Sequence, residues 1–242
     1  MQESVNFEEV IADRKSFGGK KSDIVYEVIK RMILYRGFTP ETQLREQELA
    51  GQFRCSQGTI REALMRLADD GLVERSGYRG TRVTGLSQLE AVQMVRVRLS
   101  IERAAAREIQ RTGLAEHRAM LEEITEKMDA SQHAGDYLMT SELDRSFHDR
   151  IVRAAGMELL SPILQRCSLH IHRYTIGGVE VPRDNFQKPG SGEEHRLLLE
   201  DLSSRDGLRA EKAVVAHLRH VLVRWAPSLL EAVGSEAFIV AA

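Results

Sequence analysis

Apolar residues in the first third of the chain recur at helical spacing in short stretches. Val25, Val28, Ile29 and Met32 fall at i, i+3, i+4 and i+7, which predicts an amphipathic helix that Ser22 caps and that Gly37 and Pro40 end. Leu49 and Phe53 share one face of a second, shorter helix. Ile60, Ala63, Leu64 and Leu67 repeat the first spacing behind Ser56, whose hydroxyl suits a helix start, and Gly71 closes the run. The period then shortens: Leu72 to Arg75 and Thr81 to Thr84 flank a turn, Ser76 to Gly80, that contains two glycines, and read as a hairpin. After Gly85 strand signals almost vanish. Six helices are predicted, about Ser87 to Arg111, Leu114 to Gln132, Asp136 to Ala155, Met157 to Ile176, Glu193 to Ser204 and Leu208 to Val233. Between the fourth and fifth, Gly177 to Gly192 reads as a loop, either a lid or a solvated connection.

The expected architecture is mainly α: a mobile arm over residues 1–21, three short helices and a hairpin over 22–85, and an all-helical bundle over 86–242. The 242 residues are 42% hydrophobic and 29% charged, which excludes a disordered or fibrous chain. No apolar run approaches the roughly 18 residues of a membrane span. The first 21 residues lack the apolar stretch of a secretory signal, so a cytoplasmic protein without a membrane partner is expected. Cys55 and Cys167 are then reduced thiols, too few for a cysteine-ligated zinc site.

The net charge of −2 is unevenly spread. Residues 11–85 hold fourteen Lys and Arg against ten Asp and Glu, whereas residues 86–242 hold twenty against twenty-three. A basic first unit ahead of a mildly acidic remainder points to a polyanion as partner of the first alone. Three helices followed by a hairpin in such a unit outline a winged helix-turn-helix. With Ile60, Ala63, Leu64 and Leu67 turned inward, the third helix presents Gly58, Thr59, Arg61, Glu62 and Met65 outward, and Gln57 and Thr59 stand at the end that reaches base edges. Arg45, Arg54 and Arg66 are placed to neutralise phosphates. The wing offers Tyr78, Arg79 and Arg82 around Gly77 and Gly80. One at a time, each of these arginines better suits an ordinary solvated face.

In the second unit Asp144 and His148, four apart on a predicted helix, share a face as two ligands of one ion do. His195 and His217 fall on later helices that can neighbour the first, which would complete one carboxylate and three imidazoles, a set suited to Zn²⁺, Mn²⁺, Fe²⁺ or Ni²⁺. Spacing alone favours buried or helix-capping histidines over such a site.

Ordered motifs over residues 22–84 narrow these alternatives: L-R-E-Q-E-L-A (Leu44–Ala50), F-R-C-S-Q-G-T-I-R-E-A-L-M-R-L (Phe53–Leu67), D-G-L-V-E-R (Asp70–Arg75) and Y-R-G-T-R-V (Tyr78–Val83). They resemble the GntR family of bacterial transcriptional regulators. The resemblance implies that Arg45, Ser56, Thr59, Arg61 and Gly80 contact or position DNA. Where that family commonly has Ser-Arg-Thr-Pro-Val-Arg, this chain has Ser56-Gln57-Gly58-Thr59-Ile60-Arg61, so Gln57 cannot fork onto guanine but can bond adenine, and the operator is expected to differ.

Further along, L-D-R-S-F-H (Leu143–His148), A-A-G (Ala154–Gly156), E-H (Glu194, His195) and A-H-L (Ala216–Leu218) are similar to the FCD ligand-binding domain of the FadR branch of that family. The resemblance implies that Asp144, His148, His195 and His217 hold one divalent transition metal per chain, with Zn²⁺ foremost. R-L-S-I-E (Arg98–Glu102) resembles the motif whose arginine faces the effector pocket, implying a small organic acid held by Arg98 and the ion. A homodimer on a palindromic operator, working as a repressor, follows from the same likeness. The rival reading is a metal-dependent hydrolase that uses the Asp/His₃ site with Glu193 or Glu194 as base, an account in which the first unit has no role.

Overall fold

The computed structural model describes residues 19–76, 80–178 and 190–240. The chain divides into two compact units, Met1–Leu86 and Ser87–Ala242.

In the first unit, helix α1 (Lys21–Leu34) buries Val25, Val28, Ile29 and Met32, as their spacing requires. It begins earlier than expected. Ser22 is buried within the helix rather than capping it, and the Asp23 carboxylate accepts the Lys20 backbone N–H at 3.0 Å instead. Helices α2 (Glu46–Phe53) and α3 (Gln57–Asp69) meet at Arg54, whose φ of +50° turns the chain sharply. Ser56 does cap α3, its Oγ accepting the Thr59 N–H at 3.1 Å. At the far end Gly71 takes φ +76°, and the Leu72 N–H reaches back to the Leu67 carbonyl at 2.9 Å.

The hairpin forms as β2 (Val73–Arg75) and β3 (Thr81–Val83), antiparallel with Val73 opposite Val83. A two-residue strand β1 (Gln43–Leu44) pairs with the other edge of β3, giving the order β1-β3-β2. Two residues are too few to show a period, so β1 was not legible in the sequence. Leu72, Val73 and Val83 are buried with Ile60, Leu64 and Leu67 of α3. The wing residues Gly77, Tyr78 and Arg79 lie outside the described residues, as do residues 1–18 of the expected arm.

The second unit packs α4 (Gln88–Thr112), α5 (Arg118–His133), α6 (Tyr137–Ala154), a 3₁₀ turn (Glu158–Leu160), α7 (Ser161–Gly178), α8 (Ser191–Leu202), α9 (Gly207–Trp225) and α10 (Pro227–Val233). Three sequence expectations need correction. The sixth predicted helix is two, because Pro227 lacks an N–H and restricts the residue before it: Ala226 leaves the helix at φ −152°, ψ 64°. Met157 precedes the 3₁₀ turn, and the long helix begins only at Ser161. The Gly177 to Gly192 loop is shorter than expected, since Gly177 and Gly178 belong to α7 while Ser191 and Gly192 belong to α8; residues 179–189 of it lie outside the described residues.

Helix α4 spans two apolar clusters. Ala91, Val92, Val95 and Leu99 join Ile171, Leu218, Leu222 and Leu229, while Ala105, Ala106 and Ile109 join Leu121, Phe147, Ile151 and Leu198. Arg98 and Glu102, one turn apart and both buried, fall where the two clusters meet along α4. Helix α8 enters against α5 so closely that a Cβ on Gly192 would clash with the Thr125 carbonyl, and the Gly192 N–H donates to Asp129 at 3.0 Å. That contact fixes the turn from which His195 projects.

Candidate functional site

Asp144 and His148 project from α6, His195 from α8 and His217 from α9. All four are buried, with one ligand atom from each lying within 4.8 Å of the others. One of the rings is held from behind by a hydrogen bond, and a second faces a carboxylate. His195 Nδ1 lies 2.7 Å from the Ser191 carbonyl, and His148 Nδ1 lies 3.1 Å from Glu102 Oε2. A carbonyl only accepts, so a neutral His195 carries its proton on Nδ1, and its bare Nε2 faces Asp144 Oδ1 at 3.1 Å. His148 Nε2 faces the same oxygen at 3.7 Å. Two electron-pair donors turned toward each other in a buried place are arranged as ligands around a cation are.

Other observations fit an ion in this place. His148 Nε2 and His217 Nε2 are buried with no hydrogen-bond partner, a costly state for polar atoms that a shared cation would relieve. The His195 and His217 rings meet at 4.5 Å between centroids, and Phe147 walls the site with its ring 4.9 Å from that of His195. One carboxylate and three imidazoles match Zn²⁺ and the neighbouring divalent metals.

Arg98 and two residues not singled out from sequence complete the surroundings. Arg98, 1% exposed, donates from Nε to Glu102 Oε1 at 2.6 Å, and its NH2 lies 3.6 Å from Asp144 Oδ2. NH1 and NH2 themselves have no hydrogen-bond partner. His172 of α7 places Nε2 3.2 Å from the same Oδ2. Asp144 is thus divided, one oxygen toward the histidines and the other toward Arg98 and His172. Glu102 was within reach of sequence reasoning, being one turn beyond Arg98; His172 was not, because only the packing of α7 on α6 brings it to Asp144.

Burial raises the Asp144 carboxyl, but the Arg98 guanidinium foremost outweighs it and holds the group well below its ordinary range. Glu102 behaves alike: burial opposes ionisation, yet Arg98 and His148 bring it down to about 2. Burial pushes His217 well below its usual value, aided by His195 and His148, and lowers His172 against the pull of Asp144. An anionic Asp144 beside a His217 held toward its neutral form matches the protonation states of metal ligands. Glu194, a base in the hydrolase reading, instead accepts from Arg224 NH1 at 3.0 Å and lies 3.1 Å from His220 Nε2, while Glu193 is exposed.

On the first unit, α3 exposes Gln57, Gly58, Arg61, Glu62 and Met65, with Thr59 half-buried. Ser56 Oγ and Thr59 Oγ1 are joined at 2.9 Å. Arg61 forks onto Glu46 of α2, its NH2 at 2.7 Å, and Arg45 reaches Glu48 at 2.8 Å. Arg54 is exposed, and its carbonyl accepts from Lys21 Nζ at 2.9 Å. Arg66 lies over the Tyr26 ring and donates to Asp23 at 2.5 Å, so it ties α3 to α1. Gly80 adopts φ +79°, a left-handed conformation that L side chains rarely take, and accepts the Ser76 N–H at 2.9 Å. Arg79 lies outside the described residues.

Comparison with known proteins matches two families along the chain. Residues 21–83 match the bacterial regulatory proteins of the gntR family, and residues 93–220 match the FCD domain. A relative from Paenarthrobacter nicotinovorans named "Probable D-xylose utilization operon transcriptional repressor" is 30% identical over 178 residues, covering 72% of this chain and 75% of the relative. The transcriptional repressor RspR of Escherichia coli (strain K12) is 24% identical, covering 81% of this chain and 85% of its own. Among solved structures, E. coli McbR/YncC shares the fold with a TM-score of 0.65 at 19% identity, covering 89% of this chain and all of its own.

Proposed function

The chain belongs to the gntR family of bacterial transcriptional regulators and carries an FCD domain behind its helix-turn-helix; on that premise we propose that it is a cytoplasmic homodimeric repressor whose hold on a palindromic operator is set by a small carboxylate bound at a metal ion. In this reading residues 22–85 bind DNA and residues 86–242 bind metal and effector and dimerise. Family and relatives are regulators and not enzymes, and the engaged Glu194 gives the hydrolase account no support. No described helix is long and apolar enough to cross a membrane.

The reading rests most on the buried convergence of Asp144, His148, His195 and His217 beside the unpartnered end of Arg98. Zn²⁺, or Mn²⁺, Fe²⁺ or Ni²⁺, would be held by those four side chains, and when bound it supplies positive charge with coordination positions for an acid's oxygen. Arg98 offers NH1 and NH2 to that acid as charge-assisted donors. On DNA, Gln57, Thr59 and Arg61 face bases and backbone, with Ser56 and Gly80 setting the helix start and the wing. Arg45, Arg54, Arg66 and Arg79 neutralise phosphates; Arg61 and Arg66 first exchange Glu46 and Asp23 for phosphate. Half-sites about 34 Å apart accept one spacing of two winged helices, so an effector that alters the spacing releases the operator.

Metal analysis of the purified protein tests the site. One equivalent of a transition metal per chain is expected, lost in the His148→Ala/His217→Ala variant together with thermal stabilisation by acetate. A folded double variant that still carries one metal per chain overturns the assignment and leaves DNA binding standing.

A further inference from the structure

Glu102 sits in the middle of the buried site without being one of its metal ligands. One of its oxygens takes the Arg98 Nε–H at 2.6 Å, and the other faces His148 Nδ1 at 3.1 Å. The pairing uses one edge of the guanidinium and leaves NH1 and NH2 without a hydrogen-bond partner, NH2 lying 3.6 Å from Asp144 Oδ2. Arg98 therefore presents a fork for an acid while its charge is already cancelled inside the protein.

Resting on the metal-and-carboxylate reading above, we propose that Glu102 sets the charge of the effector and restricts it to a monoanionic carboxylate. Imidazoles that hold a metal are neutral, so the formal charges of the loaded site that come from the chain are Arg98 (positive) and Glu102 and Asp144 (negative). The next guanidinium, Arg145 on α6, is paired with Glu142 of the same helix. A divalent ion raises the sum to a single positive charge. Solvent cannot screen a charge in this interior: Arg98 and Glu102 are 1% and 2% exposed. One carboxylate brings the site to neutrality, whereas a second carboxylate leaves a buried negative charge uncompensated. Were Glu102 only a strut for Arg98 and His148, mono- and dianions of one skeleton would be distinguished by shape alone.

Isothermal titration of metal-loaded protein with acetate, malonate and monomethyl malonate, in buffers of different ionisation enthalpy, tests this. Wild type is expected to bind acetate and the half-ester without proton exchange, and to reject malonate or take it with uptake of about one proton, as hydrogen malonate. Glu102→Gln keeps an acceptor oxygen and removes the charge; the ratio of malonate to acetate affinity is expected to rise by roughly ten- to a hundredfold, as one unit charge several ångströms away implies. The glutamine oxygen serves only one of Arg98 and His148, so metal content is measured alongside, and Glu102→Leu provides a second uncharged variant. Malonate bound by wild type as tightly as acetate and without proton uptake, or an unchanged ratio in the loaded variants, overturns the proposal and leaves the metal-and-carboxylate site standing. Failure of all three acids on loaded wild type overturns that site reading instead.

Discussion

Arg61 on the first unit and Arg98 in the second are both arginines paired with a glutamate, and almost everything else about them differs. Arg61 lies on a helix surface with its side chain 55% exposed, holding Glu46 across a helix-helix contact. Water satisfies whatever Glu46 leaves, so nothing in the unliganded geometry demands a partner. Arg98 is enclosed, has two nitrogens unserved, and shares its surroundings with His148 Nε2 and His217 Nε2, which are unserved too. An interior does not leave such atoms idle without cost. A buried polar site thus declares its incompleteness through its own geometry, whereas an exposed binding face is recognised by its motif.

The sharpest test of this contrast is truncation of each arginine. Arg98→Ala strands Glu102 in the interior and is expected to destabilise the metal-free protein by about 3–5 kcal/mol in urea denaturation. Arg98→Met/Glu102→Leu, which removes both charges, is expected to regain most of that loss. A single variant of wild-type stability would break the comparison.

Acid sharpens it further. His217 and His172 are lowered from 6.5 in the folded protein, so below that value the unfolded chain takes up protons that the folded chain refuses, and stability falls with pH. Depressed Glu102 and Asp144 add losses in the same direction, beginning near their ordinary values of 4.5 and 3.8 and continuing to their lower folded values. The metal-free protein is expected to show a lower urea midpoint at about pH 5 than at about pH 7.5, with the difference reduced in His217→Phe. A pH-independent midpoint would mean that these groups titrate alike in both states.

The smallest effect on stability is expected at the surface. Arg61→Ala should leave the melting temperature unchanged, because its ion pair is solvated, yet flatten the salt dependence of operator binding by about one unit of slope if it meets one phosphate. Mobility-shift titrations over a salt series read that slope, and an unaltered slope would remove Arg61 from the DNA face.

Periodicity and caps alone determined much of this protein. The burial of Val25, Val28 and Ile29, the Ser56 cap and the outward face of α3 are local consequences of a 3.6-residue repeat and one hydroxyl, written in adjacent positions. The pairing of Asp144 with His148 is local for the same reason, being one turn of one helix. The family likeness carried His195 and His217 to the same place, which spacing could not do. Where local signals compete or are too short, the sequence misled: Ser22 is a plausible cap displaced by Asp23, the two-residue β1 has no period, and Pro227 divides a stretch whose apolar repeat continues through it. Tertiary packing alone decided that α7 brings His172 to the second oxygen of Asp144, and that α6 brings His148 to Glu102 Oε2 of α4. Those contacts join residues from different helices, and their meaning depends on exclusion of water. Exclusion of water is a property of the whole bundle, which no spacing along a single strand of sequence encodes.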